Sequence, residues 1–227
     1  MLKEISATIR ENFEEKDRVR EEGLKISREI VRECRTATFA LHGQDFAKAK
    51  NSIEAAGKAI GKLDALFGRH SDIYHAGFVE HAQQEYSEIS VLYSLLEEEE
   101  EEKQKTLPSP EALGVGYSAY LNGLGDVVGE LRRHVLDLIR AESLGKAEVF
   151  LGIMENIHAA LMDFDYPDAI TRGLRRKTDV SRALIEKTRG DVINAIQQKK
   201  LETAMRELEA RFEPAPVTEE HTGQGSR

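Results

Sequence analysis

The chain has 227 residues, no tryptophan, five prolines and 32% charged residues, which suits a helix-rich soluble protein able to bury its own core. No apolar run approaches the roughly 20 residues a bilayer span requires, and MLKEISATIRENFEEKDR lacks the apolar heart of a secretory signal. The lone cysteine, Cys34, excludes an internal disulfide framework and a cysteine zinc site; these features predict a cytoplasmic protein without membrane contact.

Residues 2 to about 42 contain no proline and end in an apolar stripe, Ile26, Ile30, Cys34, Ala37 and Leu41, before Gly43 breaks the pattern. A second helix is expected from Asp45 to about Phe67, followed by the punctuation GRHSD, with Ser71 or Asp72 as a candidate N-cap. The third runs to about Lys105 on Phe78, Ala82, Tyr86, Ile89, Tyr93 and Leu96, and TLPSP then breaks the chain. The fourth carries Leu121, Leu124, Val128, Leu131, Val135 and Leu138 at alternating spacings of three and four. A shorter fifth covers Lys146 to about Phe164 and stops at DYPD, and residues 168 to 212 read as one or two more helices. EPAPVTEEHTGQGSR has too little apolar content to fold. The expected organisation is one all-α domain over residues 1–212 and a loose tail over 213–227.

Net charge is −9, but Glu97 to Glu102 alone supply six negative charges, the pattern of a solvated helix end or spacer. Basic residues gather elsewhere, in ISREIVRECR and RGLRRKTDVSRALIEKTR, so a nucleic-acid surface is compatible with an acidic total. Lys25, Arg28, Arg32 and Arg35 follow at spacings of three, four and three and share one face, nearly opposite the apolar stripe. Glu29 and Glu33 are expected to project to one side of that face. Four cations in a row repel unless an anion lies along them, so these residues are the candidate phosphate contacts.

In DVVGELRR, Asp126 and Glu130 stand four apart, nearly opposite the leucine stripe. Gly123, Gly125 and Gly129 surround them. Each helical glycine costs about 0.5–1 kcal/mol relative to alanine, a large expense for a solvated face. It is explained if another backbone or a ligand comes close, so that face is expected to be covered. A second acidic pair, Glu85 and Glu88, flanks the third stripe, with His81 one turn earlier. Two facing carboxylate pairs would make an oxygen-rich site for Mg²⁺ or Mn²⁺. A rival arrangement draws Glu155 and His158 with Asp72 and His75, plus Glu85 and Glu130, as a di-iron bundle, although that pattern wants glutamate in place of Asp72. Arg132 and Arg133 could act on a ligand or pair with surface acids.

YLNGLGDVVGELRRHVLDLI resembles the characteristic helix of the translin and translin-associated factor X (TRAX) proteins. SREIVRECRTATFALH is similar to that family's first long helix, with Ser27, Arg28, Ile30, Glu33, Phe39, Leu41 and His42 in matching places, and LRRKTDVSRALIE to its basic helix near the C-terminus. The matches reach from about residue 20 to 190. The resemblance implies a translin-like bundle of about seven helices assembled into a hollow octamer, with RNA or single-stranded DNA inside. It further implies a TRAX-like subunit, a Mg²⁺-dependent endoribonuclease. Glu85, Glu88 and Asp126 would serve catalysis and metal binding, and Glu130 would be a fourth ligand or an acceptor behind the ligands. The chain has no arginine-rich extension before its first helix, and the segment between EEEEEE and YLNG is short, which favours a homo-oligomer. A nucleic-acid-binding shell without catalysis is the alternative.

Overall fold

The computed structural model describes residues 1–67, 77–97 and 106–212. Among them every regular element is helical: α1 Leu2–His42, α2 Phe46–Phe67, α3 Gly77–Leu96, α4 Pro110–Leu113, α5 Tyr117–Arg140, α6 Leu144–Met162, α7 Asp168–Thr171 and α8 Leu174–Phe212. The all-α expectation holds, and the sequence-based ends of the first, second and fifth helices fall within two residues of those observed. GRHSD with its candidate caps, most of the glutamate run and the C-terminal tail lie outside the described residues.

The punctuation acts through ordinary backbone chemistry. At TLPSP, Ser109 Oγ accepts from Ala112 N–H at 3.2 Å and Pro110 opens α4, which closes on Gly114 at φ 65°. After DYPD, Arg172 and Gly173 both take positive φ, 46° and 91°, turning the chain from α7 into α8. Proline presets a helix start and a left-handed residue ends one.

Two three-helix groups meet at one seam. α1 packs on α2 and α3, α5 packs on α6 and α8, and α3 against α5 joins the groups. The apolar stripes supply the core: Ile30, Leu63, Ile89, Leu92, Leu131, Met154 and Leu161 are almost fully buried. Burying each such side chain contributes about 1.5–3 kcal/mol. Polar ties hold α5 in register. Buried Asn122 donates to Ser118 O at 2.9 Å and Thr171 O at 2.8 Å, fixing α7. Arg132 donates to Thr188 Oγ1 at 2.7 Å and Asp191 Oδ2 at 2.9 Å, fixing α8.

The longest helices outrun this core. α1 has 41 residues and its first buried one is Gly23; α8 has 39, and from Ile193 to Arg211 none is buried. No described helix is long and apolar enough to cross a membrane.

The glycines of α5 divide by what lies over them. A Cβ on Gly123 would stand 2.9 Å from Gln84 O and 3.1 Å from Glu88 N, both backbone atoms of α3. A Cβ on Gly125 would meet Lys177 Cβ of α8 at 2.9 Å, whereas one on Gly129 would find only Leu184 Cδ1 at 4.0 Å. Gly123 and Gly125 permit close approach; Gly129 is not required for it. Gly123→Ala should therefore destabilise the fold by about 1 kcal/mol or more through overpacking. Gly129→Ala should stabilise it by about 0.5–1 kcal/mol through helix propensity. Urea melts of the two variants, shifted in opposite directions from the parent, check the assignment.

Candidate functional site

The acidic residues gather where α1, α3, α5 and α8 converge. Glu85 and Glu88 come from α3, Asp126 and Glu130 from α5, and the side chains of Glu85, Asp126 and Glu130 are each about one quarter exposed. The structure thus brings the four predicted carboxylates into one half-buried neighbourhood and covers the outer face of α5 with α8.

Glu88 feels that neighbourhood most. Its carboxyl is pushed up from an ordinary value near 4.5 to about 8, first by burial and then by the negative charges of Asp126, Glu85 and Glu130, with Lys177 opposing. Cys34, buried on α1, has its thiol pushed up by burial and by Glu85 and Glu88. Both effects have the same source: several anions around a volume with little water and one nearby ammonium.

Three residues that the sequence reading did not place in the site partner the carboxylates. Lys177 of α8 binds Asp126 Oδ1, and Gln84 Nε2 donates to Asp126 Oδ2 at 2.6 Å. His42, at the end of α1, brings Nε2 to 2.9 Å from Glu130 Oε2. That approach lacks the alignment of a hydrogen bond, and Glu130 Oε2 is a buried acceptor without a hydrogen-bond partner. His81 Nε2 stands 3.9 Å from Glu85 Oε1. Of the three, His42 and Lys177 had a signal in the sequence, each lying in a stretch similar to the family pattern; Gln84 had none.

Among the described residues, no three His, Cys, Asp or Glu side chains converge as a ready set of metal ligands. The donor chemistry nevertheless fits a hard divalent cation. Carboxylate oxygens are the donors Mg²⁺ and Mn²⁺ take, one of them is an unsatisfied buried atom, and Glu88 lacks a counter-charge of its own.

The other candidates separate clearly. Glu155 is committed to Arg189, Oε1 to Nη2 2.7 Å, while Asp72 and His75 lie outside the described residues. Arg132 is a tie to α8, and Arg133 is exposed. Lys25, Arg28, Arg32 and Arg35 are all exposed on α1. The last three line an open cleft of about 490 Å³ against α3; Lys25 does not. Glu29 turns away toward Lys62 at 3.9 Å. Glu33 does not stand aside as expected: Arg32 Nη2 bends onto its Oε1 at 3.1 Å, because the long guanidinium arm reaches the adjacent position. Arg28 and Arg35 make no ion pair among the described residues.

The state of Glu88 has a consequence for stability. Between about pH 4.5 and 8 the folded chain holds a proton that the unfolded chain has released. Stability therefore falls as pH rises through that window and levels off above it. With chelator present, the melting temperature of the parent should fall more steeply between pH 5.5 and 8.5 than that of Glu88→Gln. Parallel curves would show that Glu88 ionises normally.

The Translin family model matches residues 18–190. An uncharacterised protein of Methanocaldococcus jannaschii is 35% identical over 196 residues, covering 86% of this chain and 84% of that protein. The AfC3PO–duplex RNA complex superposes with a TM-score of 0.73 at 30% identity, over 85% of this chain and 96% of that one. The crystal structure of AfC3PO gives 0.72 at 31%, over 85% and 97%. That of apo-NeC3PO gives 0.72 at 21%, over 83% and 96%, a likeness of fold alone. The matched span contains the acidic pairs of α3 and α5 and the lysine of α8 beside them, and the chain belongs to the Translin family.

Proposed function

We propose that this chain is a cytoplasmic, TRAX-like endoribonuclease that depends on Mg²⁺, or on Mn²⁺ in its place, and cleaves RNA inside a homo-oligomeric shell. The observation that carries this reading is the gathering of Glu85, Glu88, Asp126 and Glu130 from α3 and α5 into one half-buried neighbourhood, where burial and three anionic neighbours push the Glu88 carboxyl up. Such a group is costly as architecture and is a mark of functional sites.

Glu85, Glu88 and Asp126 are assigned to metal binding and to orienting the attacking water, and Glu130 to a fourth ligand position or an acceptor behind it. A divalent ion bound among them would supply positive charge for the phosphodiester oxygens and favour ionisation of water. Lys177 holds the Asp126 carboxylate in place through its ammonium. Gln84 fixes the second oxygen, so Asp126 is oriented from two helices. Arg28, Arg32 and Arg35, with Lys25 on the same face, would take phosphates.

RNA as the polymer is supported by AfC3PO, 30% identical, which binds duplex RNA. The preference for single strands, and binding of single-stranded DNA, rest on the family resemblance. The alternative, an RNA- or single-stranded-DNA-binding shell without catalysis, is favoured by the contact of Lys177 with Asp126, which already neutralises one carboxylate.

Incubation with end-labelled single-stranded RNA, with Mg²⁺ and then with chelator, separates these readings. The parent should cut only with the cation. Asp126→Asn and Glu88→Gln should abolish cleavage. Glu88→Gln should leave thermal stability unchanged or raised, because it replaces a carboxyl whose ionisation is opposed by burial and by its neighbours, whereas Asp126→Asn should lower it, because Lys177 loses its counter-charge. Cleavage by both variants at the parental rate would remove the proposed site.

Assembly is supported by what the fold leaves uncovered. Leu2, Ile5, Ile9 and Phe13 line the projecting part of α1, and Leu201, Met205 and Leu208 that of α8, all at least 48% exposed. Such stripes call for a partner surface. Light scattering should give a mass several times 25.5 kDa, near eight protomers by the family resemblance. A monomer at micromolar concentration would exclude the enclosed chamber.

A further inference from the structure

We infer that the cleft between α1 and α3 is a binding site for one unpaired nucleotide of RNA, with Phe39 as the platform on which its base stacks. The inference rests on the RNA-cleaving reading above and adds a subsite to it.

The cleft is built of unlike parts that one kind of ligand satisfies together. Arg28, Arg32 and Arg35 stand along its α1 side, and Phe39 follows four residues later on the same face. Phe39 is 78% exposed although its neighbours Ala37 and Ala40 are buried, so its phenyl ring projects from the core. Phe78 and His81 of α3 form the facing wall. The remaining component is Ser27. It lines the cleft, is only 4% exposed, and its Oγ is buried with no hydrogen-bond partner. A buried hydroxyl left unpaired costs about 1–3 kcal/mol, so a ligand group that meets it after a turn about χ1 is favoured.

Each part asks for a different piece of a nucleotide. Unpaired guanidinium groups at Arg28 and Arg35 match phosphate. An exposed phenyl ring matches the face of a base, and the orphaned hydroxyl matches a base edge or a ribose 2′-OH. An unpaired base can be splayed out and stacked in this way, whereas a base inside a duplex cannot. A volume of about 490 Å³ lies in the range of roughly 300–1,000 Å³ typical of small-molecule sites. An apolar partner helix would leave the two unpaired arginines unanswered.

Location supports the same occupant. His81 lines the cleft and its Nε2 lies 3.9 Å from Glu85 Oε1, so the cleft adjoins the acidic cluster. A strand held by a base at Phe39 and by phosphates on the arginines would run past His81 toward Glu85 and Glu88. The subsite would then position unpaired RNA for the cleavage proposed above and favour single strands over duplex.

The test uses the full chain in chelator, so that RNA is bound but not cut. A short single-stranded RNA and a blunt duplex of the same sequence are compared by fluorescence anisotropy. Phe39→Ala should weaken the single strand at least about fivefold, the lower end of the effect of losing one base–aromatic stack, and leave the duplex within twofold. Phe39→Tyr should restore single-strand affinity. The chain has no tryptophan, so Phe39→Trp places a single indole at the platform, and single-stranded RNA should quench it. Unchanged affinity of Phe39→Ala, or binding of RNA to Phe39→Trp without quenching, overturns the subsite and leaves the RNA-binding reading standing. Absence of binding of either RNA to the parent overturns both. Equal loss for strand and duplex, with a fall in assembly mass, overturns the subsite and assigns the cleft to a second copy of the chain.

Discussion

The contact on which the site depends is that of Gly123 with the backbone of α3. A side chain there would press against Gln84 O and Glu88 N, so the distance between α3 and α5 is set by the absence of one carbon. Gly125 does the same toward α8 through Lys177. The glycines thereby let α3 and α8 approach the backbone of α5 more closely than a side chain at either position would allow. The helix-propensity cost of those glycines is offset by the burial of Val127, Val128 and Leu131 along the same helix.

Close packing creates the electrostatic problem that defines the neighbourhood. Four carboxylates share a half-buried volume, and the fold answers them unevenly. Asp126 receives an ammonium and an amide, Glu130 an imidazole in imperfect alignment, Glu85 a distant imidazole, and Glu88 no counter-charge of its own, only repulsion from its neighbours partly offset by Lys177. A network designed for rigidity would satisfy every member. This one retains unspent acceptor capacity at its centre, and that makes it a place where something with positive charge can bind.

Much of this was legible in the sequence because its cause is local. Apolar spacing of three and four placed the stripes of α1 and α5 on the core, since residues that face inward repeat with the helical turn. In α3 it found Ala82, Tyr86 and Ile89 but missed Val79, Val91, Leu92 and Leu95, because that helix is covered on more than one face. TLPSP and DYPD marked turns because proline and left-handed residues act on their own backbone. Gly123 and Gly125 announced close approach, although the same argument over-read Gly129. What was not legible depends on partners far away in the chain. Lys177 meets Asp126 across 51 positions and Gln84 across 42, and no spacing rule spans such separations. The pairing of Arg32 with Glu33 escaped for another reason: face geometry places Cβ atoms, while a guanidinium can swing from one face to the next.

Cys34 gives the packing of α1 a built-in clock. It is the chain's one cysteine, 2% exposed on α1, and burial together with Glu85 and Glu88 holds it as the thiol. Since only the thiolate of an accessible cysteine reacts readily with disulfides and alkylating reagents, the closed protein is inert to them. Modification must wait for α1 to lift away, exposing the sulfur to water and releasing it from its anionic neighbours at once. The rate of labelling by a thiol reagent therefore measures how often the helix that carries the arginines separates from the core, a breathing frequency that the static contacts alone do not express.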